Sequence, residues 1–434
     1  MLESIVLYLV LLLLVLLFRP PLLTGSVLFI GGLFLATLVT GWMWLLLLPT
    51  LALVAILNHG EWRRERLTRP AYRALRKALP PLSVTEQEAL DAGSTWWEKE
   101  LFSGQPDWDR FAGIAPPALT EKEQQFLDDE VEGLCALIDD WEVQQRQDLS
   151  PETWAYLREK GFFGLIIPQE YGGRDFSPYA QSRVMSKIAS RSITAAVTAM
   201  VPNSLGPGEL LVKYGTEEQK KRWLPGLADG SEMPCFGLTG PEVGSDAGAI
   251  PDRGIVCRGE FQGEEIIGLR LTFRKRWITL APVATVVGLA FQLRDPDGLL
   301  GDPETVDYGI TCALLPADHP GVEIGRRHNP GTPFMNGPIA GEEVFIPVDW
   351  VIGGPAMAGK GWRMLIECLG AGRGVSLPAL ATAAGEMSYL TVGAYARIRR
   401  QFNLEVGKFE GVQAATADIA AGAIVWPPAV VAGA

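Results

Sequence analysis

Histidine is nearly missing from this 434-residue chain, which holds only His59, His319 and His328. None stands at metal-ligand spacing from another or beside an evident nucleophile, so histidine-based hydrolysis and a metal centre lose their basis. Cysteine is sparse too. Cys135, Cys235, Cys257, Cys312 and Cys368 lie far apart with no C-x-x-C pair, which argues against a disulfide framework and a zinc site. No G-x-G-x-x-G follows a strand, so a dinucleotide sheet has no support. The run from Gly354 to Lys360 imitates a phosphate loop but fails at Gly361, where a hydroxyl should hold magnesium. Positive charge is in deficit: a net charge of −12 argues against a nucleic-acid surface.

Charge of either sign is absent from Ile5 to Phe18 and again from Ser26 to Asn58, with Arg19-Pro20-Pro21 between. Crossing about 30 Å of hydrocarbon takes roughly 20 apolar residues. The first run is short for this, and the second is long enough for a tilted span with an interfacial end. Two crossings are the simplest reading. A cleavable signal peptide is the rival for the first run, but a basic leading region and an A-x-A-like site before Arg19 are both wanting. Arg63, Arg64, Arg66, Arg69, Arg73, Arg76 and Lys77 follow. By the positive-inside rule they hold the remainder on the cytoplasmic side, or they rest on anionic headgroups; a solvated helix face is the plain alternative.

What is present beyond Pro80-Pro81 is a chain able to bury a large core, with 48% hydrophobic and 20% charged residues overall. Thr120-Glu121-Lys122-Glu123 and Thr216-Glu217-Glu218-Gln219 have capping-box spacing, and Ser150-Pro151 is a cap with proline at the first helical position, stopped at Lys160-Gly161. From Cys235 the pattern changes to short β-branched runs at 254–257, 265–272, 283–291, 309–315 and 342–345. Helical periodicity returns at about Lys360 and continues through Arg400. The blocks are segregated, which predicts an α+β fold.

Two segments have chemistry of their own. Leu238-Thr239-Gly240-Pro241-Glu242-Val243-Gly244-Ser245-Asp246 joins the helical and β blocks; its glycines keep the backbone approachable, and Thr239 and Ser245 add hydroxyls. A polar interdomain turn is the bland reading. Trp277-Ile278-Thr279 sets an indole beside a hydroxyl, a pairing that suits a flat heteroaromatic ring, although a strand tryptophan is more often core.

These pieces, with Pro168-Gln169-Glu170-Tyr171-Gly172-Gly173, the 215–220 and 223–225 segments, Gly359-Lys360-Gly361-Trp362 and Arg399-Arg400-Gln401-Phe402, occur in an order that resembles the acyl-CoA dehydrogenase family. The likeness is greatest to the large membrane-associated bacterial type used in fatty-acid β-oxidation, and runs from about Pro80 to about Ala421. The expected organisation is a membrane anchor (1–60), a basic juxtamembrane linker (61–118), an N-terminal helical domain (119–234), a middle β-barrel or sandwich domain (235–352), the start of a C-terminal helical bundle (353–421) and an aberrant tail (422–434).

The resemblance implies FAD held by Leu238, Thr239, Gly244, Ser245, Trp277, Ile278 and Thr279, with Arg399 and Phe402 reaching its pyrophosphate and adenine, often across a dimer interface. Ser245 and Arg373 fall to the substrate side. It further implies a fatty acyl-CoA substrate, an electron-transfer flavoprotein as acceptor, a homodimer, and a membrane-anchored protein with its catalytic part in the cytoplasm. The catalytic base is unassigned. One branch of the family places a glutamate directly before the arginine matched by Arg373, but Gly372 stands there; the other places it in a late loop that this chain does not reach. Glu367 is the nearest substitute, out of register with both. After Gly422, Ile424-Val425-Trp426-Pro427-Pro428 should end the helix. The expectation is a C-terminally truncated copy with little turnover. A non-catalytic, membrane-anchored acyl-CoA or lipid-binding protein and an acyl-CoA oxidase are the alternatives.

Overall fold

The computed structural model describes residues 2–433 except 19, 40, 42–43, 81 and 94–96. The chain divides into two compact units, Met1–Ser83 and Val84–Ala434.

In the first unit, apolar residues on every side give helices Leu2–Phe18, Leu22–Val39 and Trp44–Asn58. The single long span expected over 26–58 is therefore two helices. Leu33 and Ala36 are buried with Leu47 packed on them, and Asn58 Nδ2 donates to Ser26 Oγ at 2.9 Å. A hairpin of the two helices gives the Asn58 amide this hydroxyl as a partner. The arginine-rich stretch is helical over Gly60–Arg63, π-helical over Arg64–Thr68 and helical again over Arg69–Ala78, with no buried residue. Among the described residues, the helical run long and apolar enough by itself to cross a membrane is Gly361–Ile398, which is 44% buried inside the second unit over its most apolar stretch. Trp44–Asn58 and Gly60–Ala78 meet that test only as a pair bent by 88°.

The second unit opens with short helices Val84–Ala92, Glu98–Phe102 and Trp108–Ala112 in the region read as linker. Trp97 packs there at a tilt against Trp108 and Phe111 with ring centroids 5.0 and 4.5 Å apart. Thr120 forms its capping box, and the helix it starts runs Glu121–Phe126, continues as a π-helix over Leu127–Val131 and ends with Glu132–Leu137. Ser150 caps Pro151–Glu159, which stops where Gly161 takes φ 71°. Thr216 caps Glu217–Asp229. Phe126, Leu134, Leu157, Phe162 and Val184 lie in the common core of this helical layer.

The middle is one curled, mixed sheet: β1 Pro234–Gly237, β2 Arg253–Phe261, β3 Glu264–Thr279, β4 Val286–Arg294, β5 Asp307–Pro316, β6 Val322–Ile324 and β7 Asn336–Pro347. The order is β1-β4-β2-β3-β7-β6, with β5 paired to β4. Every run read as strand is found. β1 pairs with β4 over Val286–Leu289 and β2 pairs with it over Gln292–Arg294, both parallel, while β5 covers the other edge antiparallel. β1 and β2 thus share one edge of β4 end to end, and the loop from Leu238 to Asp252 leaves the sheet at that gap.

Beyond the sheet come Gly361–Met364, a π-helix over Leu365–Gly370 and the long helix Ala371–Ile398. A small hairpin, β8 Arg400–Gln401 with β9 Leu404–Glu405, leads to helix Glu410–Gly433. The break expected at Gly422 does not occur. The helix runs on across Pro427 and Pro428, as Ala371–Ile398 runs across Pro378.

Candidate functional site

The site is built on an irregularity in β3. Lys275 pairs with Ile339 and Ile278 with Gly337, so Arg276 and Trp277 together oppose Pro338 alone. Proline has no N–H for the ladder, and the strand opposite it bulges. Trp277 takes φ 62°, a left-handed conformation that is costly for a bulky side chain and that marks functional sites when the surroundings enforce it.

Those surroundings are Asn336 and His328. Asn336, 4% exposed, donates from Nδ2 to the Trp277 carbonyl at 3.1 Å and to Thr279 Oγ1 at 3.3 Å. Its Oδ1 lies 3.0 Å from His328 Nδ1, which must then carry the proton. The Trp277 indole stays 47% exposed, with the His328 ring at 4.3 Å and the Arg276 guanidinium at 4.8 Å from its centroid.

The bulge also turns Arg276 away from β7. Its N–H donates to the Thr239 carbonyl at 3.0 Å, which sets the loop read from the sequence directly against the strand. Leu238 is buried at the loop's root and Thr239 half-buried, while Gly244 and Ser245 are exposed at its crest. Gly240 N donates to the Val243 carbonyl at 3.1 Å, closing a turn. Among the described residues the N–H groups of Gly244 and Ser245 donate to no protein acceptor, and a side chain at Gly244 would meet open space. Leu238, Thr239, Trp277, Ile278 and Thr279 are therefore brought together. Ile278 is buried under the sheet and contributes packing. Free N–H groups, a half-exposed indole and two threonines next to one bulge fit a planar, hydrogen-bonding ring with an anionic arm.

Three expected residues lie elsewhere. Arg399 ends the long helix, its N–H bonded to the Tyr395 carbonyl, and Phe402 is 89% exposed on the hairpin. The hairpin's hydrogen bonds are made within itself and to the end of that helix, and none reaches the loop or the bulge. Arg373 is exposed, and its side chain makes no hydrogen bond or ion pair among the described residues.

The carboxylate candidates separate clearly. Glu367 accepts from the Tyr214 hydroxyl and pairs with Lys213 Nζ at 2.5 Å and Arg363 Nε at 2.7 Å. These bonds, led by that from Lys213, hold its carboxyl down at about 2. A carboxylate so heavily bonded is a poor proton acceptor, and Glu367, the nearest substitute for a base in the sequence, stands in the fold as an ion-pair hub. Gly372 is packed so closely that a Cβ would lie 2.4 Å from the Ser204 carbonyl; no carboxylate fits there without moving that backbone. Below it Gln181 Nε2 donates to Ser376 Oγ at 3.2 Å and to Ser204 Oγ, all three buried.

Glu209, which sequence reasoning passed over, behaves differently. Burial pushes its carboxyl up to about 7, against a smaller downward pull from Lys213.

Comparison with known proteins places these features in context. The chain matches the family model described as acyl-CoA dehydrogenase, N-terminal domain, over residues 118–231. It is 30% identical over 281 residues to a probable acyl-CoA dehydrogenase of Bacillus subtilis, covering 64% of this chain and 68% of that one. A probable acyl-CoA dehydrogenase of Mycobacterium tuberculosis is 29% identical over 362 residues, 78% of this chain and 51% of that one, so the chain spans about half the length of that relative. Protein HemX of Proteus mirabilis is 57% identical over 106 residues, 24% of this chain and 61% of that protein. Among solved structures, butyryl-CoA dehydrogenase from Megasphaera elsdenii shares the fold with a TM-score of 0.59 at 21% identity, covering 71% of this chain and 77% of that one.

Proposed function

The chain belongs to the acyl-CoA dehydrogenase family, and from that membership we propose that it binds FAD between the Leu238–Ser245 loop and the Trp277 bulge, for α,β-dehydrogenation of fatty acyl-CoA thioesters. The observation that carries this reading is the bond from Arg276 N–H to the Thr239 carbonyl. It sets the hydroxyl-bearing loop against the indole and threonine that a flavin ring would need. Bound FAD supplies the acceptor for the hydride leaving the β-carbon.

The remaining roles fall to this chain's own residues. Trp277 would cover the ring and exclude water, Thr239 and Thr279 would offer it hydroxyls, and the free Gly244 and Ser245 N–H groups would hold the anionic arm of cofactor or thioester. An α C–H beside a thioester is so weakly acidic that a carboxylate must be placed against it. Glu367 is engaged by three donors and Gly372 offers no room. We therefore assign this chain flavin and thioester affinity with low turnover, short of a carboxylate supplied to the α-carbon from elsewhere. Electrons would pass to an electron-transfer flavoprotein, a second copy would bring Arg399 and Phe402 to the cofactor, and the apolar helices before Asn58 would anchor the protein with the remainder cytoplasmic.

The test is dye reduction with palmitoyl-CoA on the flavin-loaded chain. Bleaching of the bound flavin by the thioester at a rate far below that of a relative with its base in place supports the reading. A flavin that binds and is never reduced identifies a thioester-binding protein without dehydrogenase activity.

A further inference from the structure

Behind the proposed flavin loop lies a charge that its strand neighbours do not prepare for. Lys275 alternates with Leu271 and Phe273 on the inner face of β3, and its side chain is 0% exposed. Its Nζ lies 2.5 Å from Asp252 Oδ2 and donates to the Leu238 carbonyl at 2.9 Å. Asp252 is equally buried; its Oδ1 accepts from Arg274 N–H at 2.7 Å and its carbonyl accepts from Gln292 N–H at 2.8 Å. One ammonium thus joins β3, the residue that leads into β2 and the root of the loop, at the gap where β1 gives way to β2.

Burying such a pair is expensive, and apolar residues of like volume commonly give equal or greater stability. What apolar residues cannot supply is a directed bond to a carbonyl. Leu238 is the last fixed point before the loop turns at Gly240, and its carbonyl has no other donor among the described residues. The stretch beyond it, from Pro241 to Asp246, is largely exposed and held by few bonds of its own. We propose that Lys275 is a positioning residue for the cofactor loop: it holds the Leu238 carbonyl, and through it Thr239 and the free N–H groups at 244–245, in the arrangement that receives the flavin. This rests on the FAD reading above. Burial lowers the ammonium's proton affinity and Asp252 restores part of it.

Three variants of the full chain test the proposal by FAD titration, thermal unfolding and hydrogen exchange of the loop amides. Lys275→Met leaves Asp252 as a buried unpaired charge, so its fold is expected to suffer. Lys275→Met combined with Asp252→Asn removes both charges, keeps the acceptor for Arg274 N–H and should recover most of the melting temperature. Its FAD affinity should nevertheless stay at least tenfold weak, with amides 239–246 exchanging faster than in the unmodified chain. Asp252→Asn alone leaves the buried ammonium without its counter-charge and should lower the melting temperature, but it keeps the bond to Leu238, so the folded chain should lose less than threefold in affinity. Near-normal FAD affinity in the double variant, or a tenfold loss in Asp252→Asn, overturns the proposal. An unmodified chain that takes up no FAD sinks the flavin reading instead; the exchange data then decide alone whether Lys275 fixes the loop, and unchanged amides in the double variant refute it.

Discussion

Glu209 and Glu367 lie on segments that pack against each other, Gly208–Tyr214 and Leu365–Gly370, yet they titrate in opposite directions. Glu367 is held near 2 by Lys213, Tyr214 and Arg363. Its folded value lies below the ordinary 4.5, so the stabilisation is complete above about pH 4.5 and is lost as pH falls toward 2. Glu367→Gln should therefore cost about 1–2 kcal/mol at pH 7, discounted because Lys213 and Arg363 are half-exposed, and almost nothing at pH 2. Denaturant unfolding across that range checks it. Glu209 is the reverse case. Its value near 7 means that ionisation is penalised in the fold, so stability falls from pH 4.5 to 7 and stays low above. Glu209→Gln should gain about 1–3 kcal/mol at pH 8 and nothing at pH 4. Neither behaviour could be read from the sequence, where both residues look like ordinary helix carboxylates. The burial of Lys275, in contrast, left a trace in the alternation Leu271, Phe273, Lys275, a charged residue on an apolar face.

At the scale of elements, local chemistry was the most legible part of the chain. Both capping boxes, the Ser150-Pro151 start and the Gly161 stop fall where the residues call for them, because a cap is decided within four positions. The bulge was not legible. It arises because Pro338, distant in sequence, has no N–H for β3, and only the register brings the two together. The helix across Pro427 and Pro428 was not legible either, because proline inside a helix ordinarily ends or kinks it. Asn336 is the brace of the bulge. Asn336→Ala removes the donor to the Trp277 carbonyl and to Thr279 Oγ1 and leaves His328 Nδ1 unpartnered. The variant should lose about 1–3 kcal/mol of stability and at least fivefold in FAD affinity. Unchanged affinity would show that the bulge does not shape the ring site. Thr279→Ala removes one hydroxyl and should weaken FAD by roughly tenfold, one charge-free hydrogen bond's worth, without a shift in melting temperature beyond a few degrees.

The whole molecule joins two unlike materials, the apolar helices and basic stretch of Met1–Ser83 and the folded body of Val84–Ala434. The body's α, β, α order was readable because each block keeps its own periodicity, and the family was readable because several weak motifs stand in one sequence order. The division of 26–58 into two helices was not, since an unbroken apolar run carries no mark of where it bends. The membrane role proposed for the first unit is checked by flotation with vesicles of mixed neutral and anionic lipid. The full chain should float with them, and a variant lacking residues 1–60 should remain in the dense fraction. Equal behaviour of the two would place any membrane affinity in the body. The central claim, that the Leu238–Ser245 loop and the Trp277 bulge form one flavin site, is tested most directly by the visible absorbance of the full chain purified in the presence of FAD and then freed of unbound cofactor. A flavin absorbance retained near one equivalent per chain, and diminished in the Thr279→Ala variant, is the expected result; a colourless protein, or one whose colour ignores that substitution, contradicts the account.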